Sequence, residues 1–443
     1  MQYTLRRGSV AVAMLAAGSL ALAACSGGSG GSESSSGSAT VTLTYMTSSP
    51  EATIGAEKDV IATFEQANPT IKINVDAGPL SNYDTQLVTA FKGGNGPDIF
   101  WVNHPNVQAW ANAGYLADLT ALANDSSQFQ KDKFIPGLLQ IGTVGGKQYT
   151  LPVNTDARVF WYNTALFKKV GLVDSSGNPK VPTTWAEMQA DAALFKKAGV
   201  YGFAYRSDSD YAMAYEAVGP FMKTAGGEIL SSDATAQAIA SQSAGTVAAV
   251  TLLQDLVKAG VTPPGESKMN ETTMNKLFAS DELAMMLGGP WERPSLEQIA
   301  PDFKFGTDYG VADVPVQQAG DKTASTSGGW QLGVNAKSAN PAAAEKFAAF
   351  FETPENLQKL AVAGSFPPTI DGLSQAPFSS DPFYIPFMDV LPNSGLPIPP
   401  VAQMAQVSAA FEKYAMAAIN DGKSVSDQLS AFDNEVNSSV LGQ

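Results

Sequence analysis

The amino-acid sequence predicts an α/β fold built on parallel sheets, and three observations lead to that class. From residue 41 to residue 102, runs with the two-residue period of a strand alternate with runs of helical period. The chain has 443 residues, 44% of them apolar and 16% charged, so it can bury the cores of two domains. Strand and helix patterns alternate again after a long middle block, which predicts a second α/β unit and a chain that passes between the units more than once.

The first unit begins with three strands and two helices. The strands are predicted where apolar side chains alternate or run together, at 41–45, 71–75 and 98–102. The first intervening helix stops before Pro69, and the second ends at Gly93. This βαβαβ order predicts a parallel sheet, whose ligands lie beyond the carboxyl ends of the strands. Residues 47–51 and the pair Asn103 and His104 follow those ends.

Later helices carry clear start and stop signals. Thr184 and Glu187 have the spacing of a capping box, and Gly199 ends that helix. Pro341 lies in the first turn of another predicted helix, where proline is tolerated. Further helices are predicted at 247–259 and 341–352, and further strands at 309–316 and 330–334.

The N-terminal segment predicts export and a lipid anchor. Arg6 and Arg7 precede a short apolar run that ends in Leu-Ala-Ala-Cys, a pattern that resembles the bacterial lipobox, with Cys25 as the lipidated residue. Residues 1–24 are therefore predicted to be a signal peptide. Residues 25–40 are rich in glycine and serine and are predicted to be a flexible tether. An ordinary secretory signal with an incidental thiol remains the alternative.

Charge and composition exclude several classes of partner. Removal of residues 1–24 takes away two arginines and no acid, which leaves 25 basic against 42 acidic residues and a net charge of −17. Such a surface repels nucleic acid and anionic headgroups. After residue 24 no apolar run is long enough to span a bilayer. With one cysteine in the whole chain, stability has to come from the size of the core and not from disulfides.

Each catalytic or metal-binding motif in the sequence lacks a feature that its chemistry requires. The G-x-S-x-G pattern at 27–31 lies in the predicted tether, without the strand and helix that a nucleophile elbow needs. The tail of a phosphate loop at Gly422 lacks its first glycine, since Ala417 stands there. One histidine leaves too few ligands for zinc, so no metal and no cofactor are predicted. Asp208 and Asp210 could suggest calcium or a carboxylate pair, but a solvated loop explains them as well.

Five segments carry a resemblance to a known family. They are GGNGPDIFWVN, LPVNTDARVFWYNTALFKKVGL, VPTTWAEM, LFASDELAMMLGGPW and GGWQLGVNAKSANPAAAEKFAAFF. In this order and spacing the chain resembles extracellular solute-binding proteins of the maltose- and carbohydrate-binding type, the capture subunits of ABC importers. The resemblance implies a two-lobed periplasmic-binding-protein-like fold of type II, a hinge of several segments, a ligand cleft between the lobes, and no catalysis.

The expected lobes follow from that resemblance. Residues 41–153 and 312–352 are assigned to the N-terminal lobe, and residues 154–311 and 353–443 to the C-terminal lobe. A sugar site needs aromatic faces together with groups that both accept and donate hydrogen bonds. The chain has 6 tryptophans and 13 tyrosines, enough for such platforms.

Two tryptophans are the aromatic candidates for stacking on a sugar. Trp291 follows Gly-Gly-Pro, a turn that would hold the indole at the edge of a cleft, and it matches a stacking aromatic in the family pattern. Trp330 follows two glycines at the start of a strand, where a ligand can approach closely. For both side chains, packing in the core of a lobe is the alternative.

Asp156 is the leading polar candidate. It follows the first lobe, matches an acidic sugar ligand of the family, and could accept two charge-assisted hydrogen bonds from hydroxyl groups. A structural ion pair with Arg158, two residues on, is the alternative. The remaining candidates end strands or lie in a loop of the second lobe that matches a ligand-contacting one: Ser48, Ser49, Glu51, Asn103, His104, Asp208 and Tyr211. Val102 and Pro105 depart from the family pattern beside Asn103, so the sequence does not identify the sugar.

The sequence therefore predicts a monomeric, lipid-anchored protein on the outer face of a bacterial cell membrane. It would capture a sugar, in particular an oligosaccharide, and deliver it to the permease subunits of an ABC importer. Three alternatives stay open: the same importer role for a polyamine, iron or a peptide, a lipid-anchored glycan hydrolase, and an adhesive surface lipoprotein.

Overall fold

The computed structural model describes residues 40–49, 51–78, 82–232, 236–265 and 268–442, of which residues 51, 52 and 210 are described by their backbone. The predicted signal peptide and the predicted tether up to residue 39, with Cys25, lie outside the described residues. None of the helices in the described part of the chain has the length and apolar character that crossing a bilayer needs.

Two mixed sheets organise the described chain. Its strands are β1 Val41–Thr47, β2 Ile71–Ala77, β3 Ile99–Asn103, β4 Thr143–Val144, β5 Lys147–Gln148, β6 Thr150–Pro152, β7 Val159–Asn163, β8 Tyr201–Ala204, β9 Leu283–Gly288, β10 Tyr309–Ala312 and β11 Trp330–Val334. The first sheet has the order β2-β1-β3-β11-β6, the second has the order β10-β7-β9-β8, and β4 pairs with β5 in a small ribbon.

The three strands predicted first are parallel, as the βαβαβ pattern requires, since β1 pairs in parallel with both β2 and β3. The later strands do not follow that rule. β11 runs antiparallel to β3 and β6, and β7 runs antiparallel to β9 and β10. The sheets predicted as parallel are therefore mixed: each combines parallel with antiparallel pairs. The chain enters these strands directly from the other sheet, without the crossover helix that makes neighbours parallel.

The helices outnumber the strands. They are α1 Glu51–Ala67, α2 Tyr83–Lys92, α3 Val107–Asn112, α4 Thr120–Asn124, α5 Pro136–Ile141, α6 Thr164–Val170, α7 Trp185–Lys197, α8 Asp210–Ala212, α9 Val218–Thr224, α10 Ala244–Lys258, α11 Glu271–Ala279, α12 Glu292–Ile299, α13 Pro341–Phe351, α14 Pro354–Val362, α15 Ile370–Leu373, α16 Ile385–Val390, α17 Met404–Ile419 and α18 Val425–Glu435. Short 3-10 turns occupy His104–Asn106, Lys131–Lys133, Pro382–Tyr384 and Leu391–Asn393, and π-helical turns occupy Met213–Ala217 and Val436–Val440.

Local sequence signals account for several helix ends. Thr184 accepts a hydrogen bond from the backbone N–H of Glu187 at 3.3 Å, and the Glu187 side chain accepts one from the backbone N–H of Thr184 at 3.2 Å, so the predicted capping box is formed. The helices predicted at 247–259 and 341–352 are α10 and α13. The strand predicted at 309–316 ends earlier, at Ala312.

Each sheet covers its own buried core. The first core gathers side chains of β1, β3, α1, α13 and α14, with Leu357 and Leu360 of α14 among them. The second core is built mainly from α7, α9, α10, α17 and α18. A third cluster lies around Trp161 and Tyr309 and includes Phe383 and Phe387.

Three segments of chain that link the two sheets are hydrogen-bonded to one another, and we call them the crossing segments: 153–156, 326–329 and 364–366. The backbone N–H of Val153 donates to the carbonyl of Trp330 at 2.9 Å. Thr155 and Phe366 exchange backbone hydrogen bonds at 2.9 and 3.0 Å, and the Thr155 hydroxyl donates to the Gly328 carbonyl at 3.1 Å. The links between the two sheets are thus packed into one short ribbon.

Candidate functional site

Arg158 lies at the centre of a polar cluster beside the crossing segments. Its Nη1 donates to Oδ1 of Asp156 at 2.6 Å, and its Nη2 donates to the Tyr211 hydroxyl at 2.9 Å. Its Nη2 also lies 3.6 Å from Oε1 of Glu216. Its guanidinium carbon lies 5.0 Å from the ring centroid of Trp291. These five residues are called the Arg158 cluster below.

The guanidinium of Arg158 is held in place by charge. The side chain is only 2% exposed. Burial by itself lowers the pKa of Arg158, but the nearby carboxylates of Asp156 and Glu216, with the hydroxyl of Tyr211, raise it well above the ordinary value. Arg158 is therefore a permanent cation, and it connects an acid on a crossing segment with an aromatic ring on α8.

Asp156 is paired within the protein, as the alternative interpretation of the sequence proposed. Its Oδ1 accepts from Arg158 and also from the backbone N–H of Gly328, at 3.0 Å. The carboxylate thus joins two crossing segments to each other and to the cluster. A direct role for Asp156 in ligand binding stays a prediction.

Aromatic faces surround the Arg158 guanidinium. The half-buried Trp291 indole lies directly over Gly289. The contact is so close that a Cβ atom on residue 289 would collide with the ring, so a glycine is needed there. The Tyr211 ring lies 5.9 Å from the guanidinium carbon and stacks on Tyr215 at 4.4 Å between centroids, with 12° between the ring planes. Two flat apolar surfaces and a fixed polar centre therefore meet in one place, which is the combination that a sugar ring requires.

His104 reaches the same place from the end of β3. Its Nδ1 lies 3.2 Å from the Gly329 carbonyl, and its ring packs edge-on against Tyr215 at 5.0 Å and Tyr211 at 6.1 Å. A Cβ atom on Gly328 would collide with the imidazole, so a glycine is needed there. The side chain therefore fits between a crossing segment and the tyrosine pair.

The imidazole of His104 is neutral at neutral pH. Burial lowers the pKa of His104 to about 4, although the negative charge of Asp156 opposes that shift. If Nδ1 carries the proton and donates it to the Gly329 carbonyl, Nε2 is left as an acceptor. Within the described part of the chain, Nε2 is buried and has no hydrogen-bond partner.

Trp330 and Asn103 lie opposite each other on neighbouring strands, β11 and β3. The half-buried Trp330 indole packs against Trp101 at 5.6 Å and against Tyr83 at 6.0 Å, side chains of the first core. Its backbone N–H donates to Oδ1 of Asn154 at 2.8 Å. The structure thus places Trp330 against the core, as the alternative interpretation proposed, with part of the ring still exposed.

Ser48 and Ser49 lie at the end of β1, next to an acid that sequence reasoning missed. Ser49 Oγ donates to Oε1 of Glu57 at 2.5 Å, and the Thr47 hydroxyl donates to the same oxygen at 3.2 Å. Ser48 Oγ is buried without a partner in the described part of the chain. Glu51 begins α1, and its side chain lies outside the described residues.

Burial dominates the acidity of Glu57. It raises the pKa of Glu57 from 4.5 to about 7, against hydrogen bonds from Ser49, Thr47 and Tyr45 that lower it. The sequence did not indicate that Glu57 is buried, because it is one of several acidic residues in α1.

Asp208 belongs to a second ion pair that leads back to the cluster. Its Oδ1 accepts from Nε of Arg206 at 2.7 Å, and Nη1 of Arg206 donates to Oε1 of Glu216 at 3.3 Å. Sequence reasoning named Asp208 and missed Arg206, Glu216 and the central role of Arg158. The repeated spacing Asp156-x-Arg158 and Arg206-x-Asp208 is the signal that could have found them.

The described residues offer no group of three or more histidine, cysteine, aspartate or glutamate side chains that could hold a metal ion. The structure instead brings Asp156, Tyr211, Trp291 and His104 together around Arg158, with Asp208 at the outer end of the linked ion pairs. Ser48 and Ser49 lie with Glu57, and Trp330 lies on the first core.

A family model described as bacterial extracellular solute-binding protein matches residues 49–358 of the chain. Among solved structures, the chain is similar to an ABC transporter solute-binding protein from Thermotoga lettingae bound with α-D-tagatose, with a TM-score of 0.78, 26% identity and coverage of 91% of this chain and 100% of that one. It is also similar to maltose-bound MalE3 of T. maritima, with a TM-score of 0.77, 25% identity and coverage of 89% and 99%.

Relatives in sequence are also named as binding proteins. The multiple sugar-binding protein of Streptococcus mutans is 24% identical over 76% of this chain and 76% of that protein. A putative binding protein of Brucella abortus is 29% identical over 59% of this chain, and the match spans 60% of that protein's length.

Proposed function

The chain belongs to the bacterial extracellular solute-binding protein family, and from that premise we propose that it captures a sugar, in particular an oligosaccharide, for delivery to an ABC importer. The Arg158 cluster is the observation that supports sugar as the ligand. Trp291 and Tyr211 present flat faces beside a guanidinium, and hydroxyl groups can exchange hydrogen bonds with the polar atoms between them. The similar structures carry tagatose and maltose, which agrees with this ligand class.

The two sheets and their cores would form the two lobes of the binding protein. In this proposal the chain first crosses between lobes near residue 153, as the sequence predicts. The second crossing falls at 326–329 and not at residue 312, because Val314 lies in the second core and the backbone N–H of Val316 donates to the Thr183 carbonyl at 2.9 Å. The last crossing falls after α14 and not at residue 353, because Leu357 and Leu360 of that helix lie in the first core. The crossing segments would then be the hinge.

Closure would follow from where the site residues lie. His104 approaches the site from the first sheet, whereas Tyr211 and Trp291 come from the elements of the second. A ligand that contacts both sides binds the closed arrangement better than an open one, so it shifts the population towards closure. The closed form is the signal that we propose the permease subunits recognise.

A lipid on Cys25 and the glycine- and serine-rich segment after it would hold the protein at the outer face of the cell membrane. Such a tether raises the local concentration of the loaded protein near the permease. The acidic surface gives no attraction to anionic headgroups, so in this proposal the lipid provides the anchor. We propose that the protein acts as a monomer.

The matched family and the similar structures are binding proteins and not enzymes, which argues against the lipid-anchored glycan hydrolase that the sequence left open. In the site, both carboxylates considered for such a hydrolase, Asp156 and Asp208, are engaged in ion pairs with arginines.

A thermal-shift and calorimetry panel tests the proposed function. We expect at least one of glucose, maltose, maltotriose and xylobiose to raise the melting temperature of the purified protein. Trp291→Ala should weaken binding of that sugar by about tenfold or more, because it removes a stacking face. Leu194→Ala removes an exposed apolar side chain on α7 and should bind like the parent protein.

The panel can also contradict the proposal. Stabilisation by spermidine or by a peptide, with none by sugars, would keep the importer role and change the ligand class. No effect of any of these compounds would favour an adhesive or structural role.

A further inference from the structure

Five charged side chains form a continuous chain of ion pairs through the site. Asp156 pairs with Arg158 at 2.6 Å, Arg158 with Glu216 at 3.6 Å, Arg206 with Glu216 at 3.3 Å, and Arg206 with Asp208 at 2.7 Å. Asp208 is the most exposed of the five, with 22% of its side chain accessible. The chain contains one more carboxylate than guanidinium groups.

Glu216 is the shared member of this chain. It lies in the π-helical turn Met213–Ala217, is 6% exposed, and faces both arginines with the same oxygen, Oε1. Without Glu216, Arg158 and Arg206 would each keep a single carboxylate, and the excess of negative charge would disappear. Two further acids lie close to Arg206 and Glu216. Burial raises the pKa of Glu271 to about 6, so it still carries negative charge at neutral pH, whereas burial raises the pKa of Glu292 well above its ordinary value and leaves it uncharged there.

The unpaired polar atoms beside this chain fit a hydroxyl group better than an anion. Nε of Arg158 and Nε2 of His104 are both buried without a hydrogen-bond partner in the described part of the chain. The first is a donor, and the second is an acceptor when Nδ1 donates to Gly329. A hydroxyl can serve both kinds of atom. A phosphate dianion or a carboxylate has no proton to give to His104.

We infer that Glu216 sets the charge selectivity of the site, which admits uncharged sugars and rejects sugar phosphates and uronates. This inference rests on the proposed function. Arginine recognises phosphate and carboxylate through its two-pronged guanidinium. Nη1 and Nη2 of Arg158 already donate to Asp156 and Tyr211, and Nε and Nη1 of Arg206 already donate to Asp208 and Glu216. An anionic ligand would have to displace a buried carboxylate and would meet an excess of negative charge.

Matched ligand pairs test the inference on the purified protein. Calorimetry would compare glucose with glucose 6-phosphate and with glucuronate, and maltose with maltose 1-phosphate, and would give the affinity ratio of the uncharged to the charged member. We expect the uncharged member to bind more tightly by about a hundredfold. In Glu216→Gln the ratio should fall by about tenfold or more, since one buried negative charge is lost while the side chain keeps its size.

Two further variants keep the test decisive. Glu355→Gln removes an exposed acid on α14 and should leave the ratio unchanged. If Glu216→Gln does not fold, Asp208→Asn at the exposed end of the ion-pair chain should shift the ratio in the same direction by a smaller factor.

The outcomes separate the inference from the proposed function. Equal or tighter binding of the phosphate or the uronate by the parent protein would overturn the inference and leave sugar capture standing. An unchanged ratio in folded Glu216→Gln would also overturn it. If neither member of any pair binds, the proposed function fails and the inference fails with it.

Discussion

Asp156 shows how a single buried charge can have two roles. In the structure its carboxylate neutralises Arg158 and accepts from the backbone of Gly328, so it links the cluster to a crossing segment. Removal of one partner of a buried pair leaves the other charge without compensation, which costs more than the pair itself contributes.

We expect Asp156→Ala to lower the free energy of unfolding by about 3 kcal/mol, because Arg158 stays buried with only Glu216 as a charged partner. Urea denaturation followed by tryptophan fluorescence measures the change. Asp371→Ala is the matched control: its pair with Lys133 is mostly exposed, so the loss should be below about 1 kcal/mol. An equal loss of unfolding free energy in the two variants would contradict a larger contribution from the buried pair.

Glu57 gives the protein a stability that depends on pH. Its pKa in the folded protein, about 7, lies above its ordinary value of 4.5, so the folded state holds the proton more tightly than the unfolded state does. The stabilisation is complete below pH 4.5 and is lost as the pH rises to about 7.

Glu57→Gln should remove this part of the pH dependence. Above neutral pH the variant should be more stable than the parent protein by on the order of 2 to 3 kcal/mol. The measurement is the difference between the two curves of unfolding free energy against pH, since Asp191 and Glu271, whose pKa values burial raises to about 6, contribute to both curves. A difference that stays constant across the window would show that Glu57 is not the titrating group, and Glu355→Gln should follow the parent curve.

At the scale of elements, local signals predicted what local interactions determine. Thr184 and Glu187 were enough to place the start of α7, because a capping box depends only on residues three positions apart. β1 to β3 were equally readable, since helices that connect them enforce parallel neighbours. The direction of β11 could not be predicted in this way. It depends on the chain returning from the second sheet to the first, and that return leaves no local sequence pattern.

The site was predictable in part for the same reason. Trp291 and Asp156 stand out beside turns and strand ends, whereas Glu216 lies in a helical turn and becomes important only through arginines 10 and 58 positions away. The pairing of Arg158 with Asp156 was foreseen as an alternative, but its contact with the Trp291 ring joins elements far apart in the sequence. Residues united only by tertiary packing leave no spacing to recognise.

Thr184→Ala tests the contribution of one element. We expect it to lower the free energy of unfolding by about 1 kcal/mol, because the backbone N–H of Glu187 loses its partner. Thr63→Ala, on the exposed face of α1, is the control and should change stability by less than about 0.5 kcal/mol. Both values come from urea denaturation, and an equal loss in the two variants would contradict a specific role for the cap.

At the scale of the whole molecule, ligand binding and shape should be coupled. We expect a sugar that raises the melting temperature also to reduce the radius of gyration in X-ray scattering, since a ligand held from both sheets favours closure. Trp291→Ala, measured at the same sugar concentration, should show little change. Scattering curves of the parent protein that are identical with and without saturating sugar would contradict hinge closure.

The position of β11 inside the first sheet has a consequence for biogenesis. This strand lies between β3 and β6 in the sheet. In the chain, however, β11 comes after β6 only once strands β7 to β10 and the helices among them have passed. A ribosome must therefore synthesise Trp330–Val334 before the first sheet can be completed, and the edges of β3 and β6 stay unpaired until then. The first sheet, which β1 begins at residue 41, is therefore completed only after the whole second sheet has been synthesised.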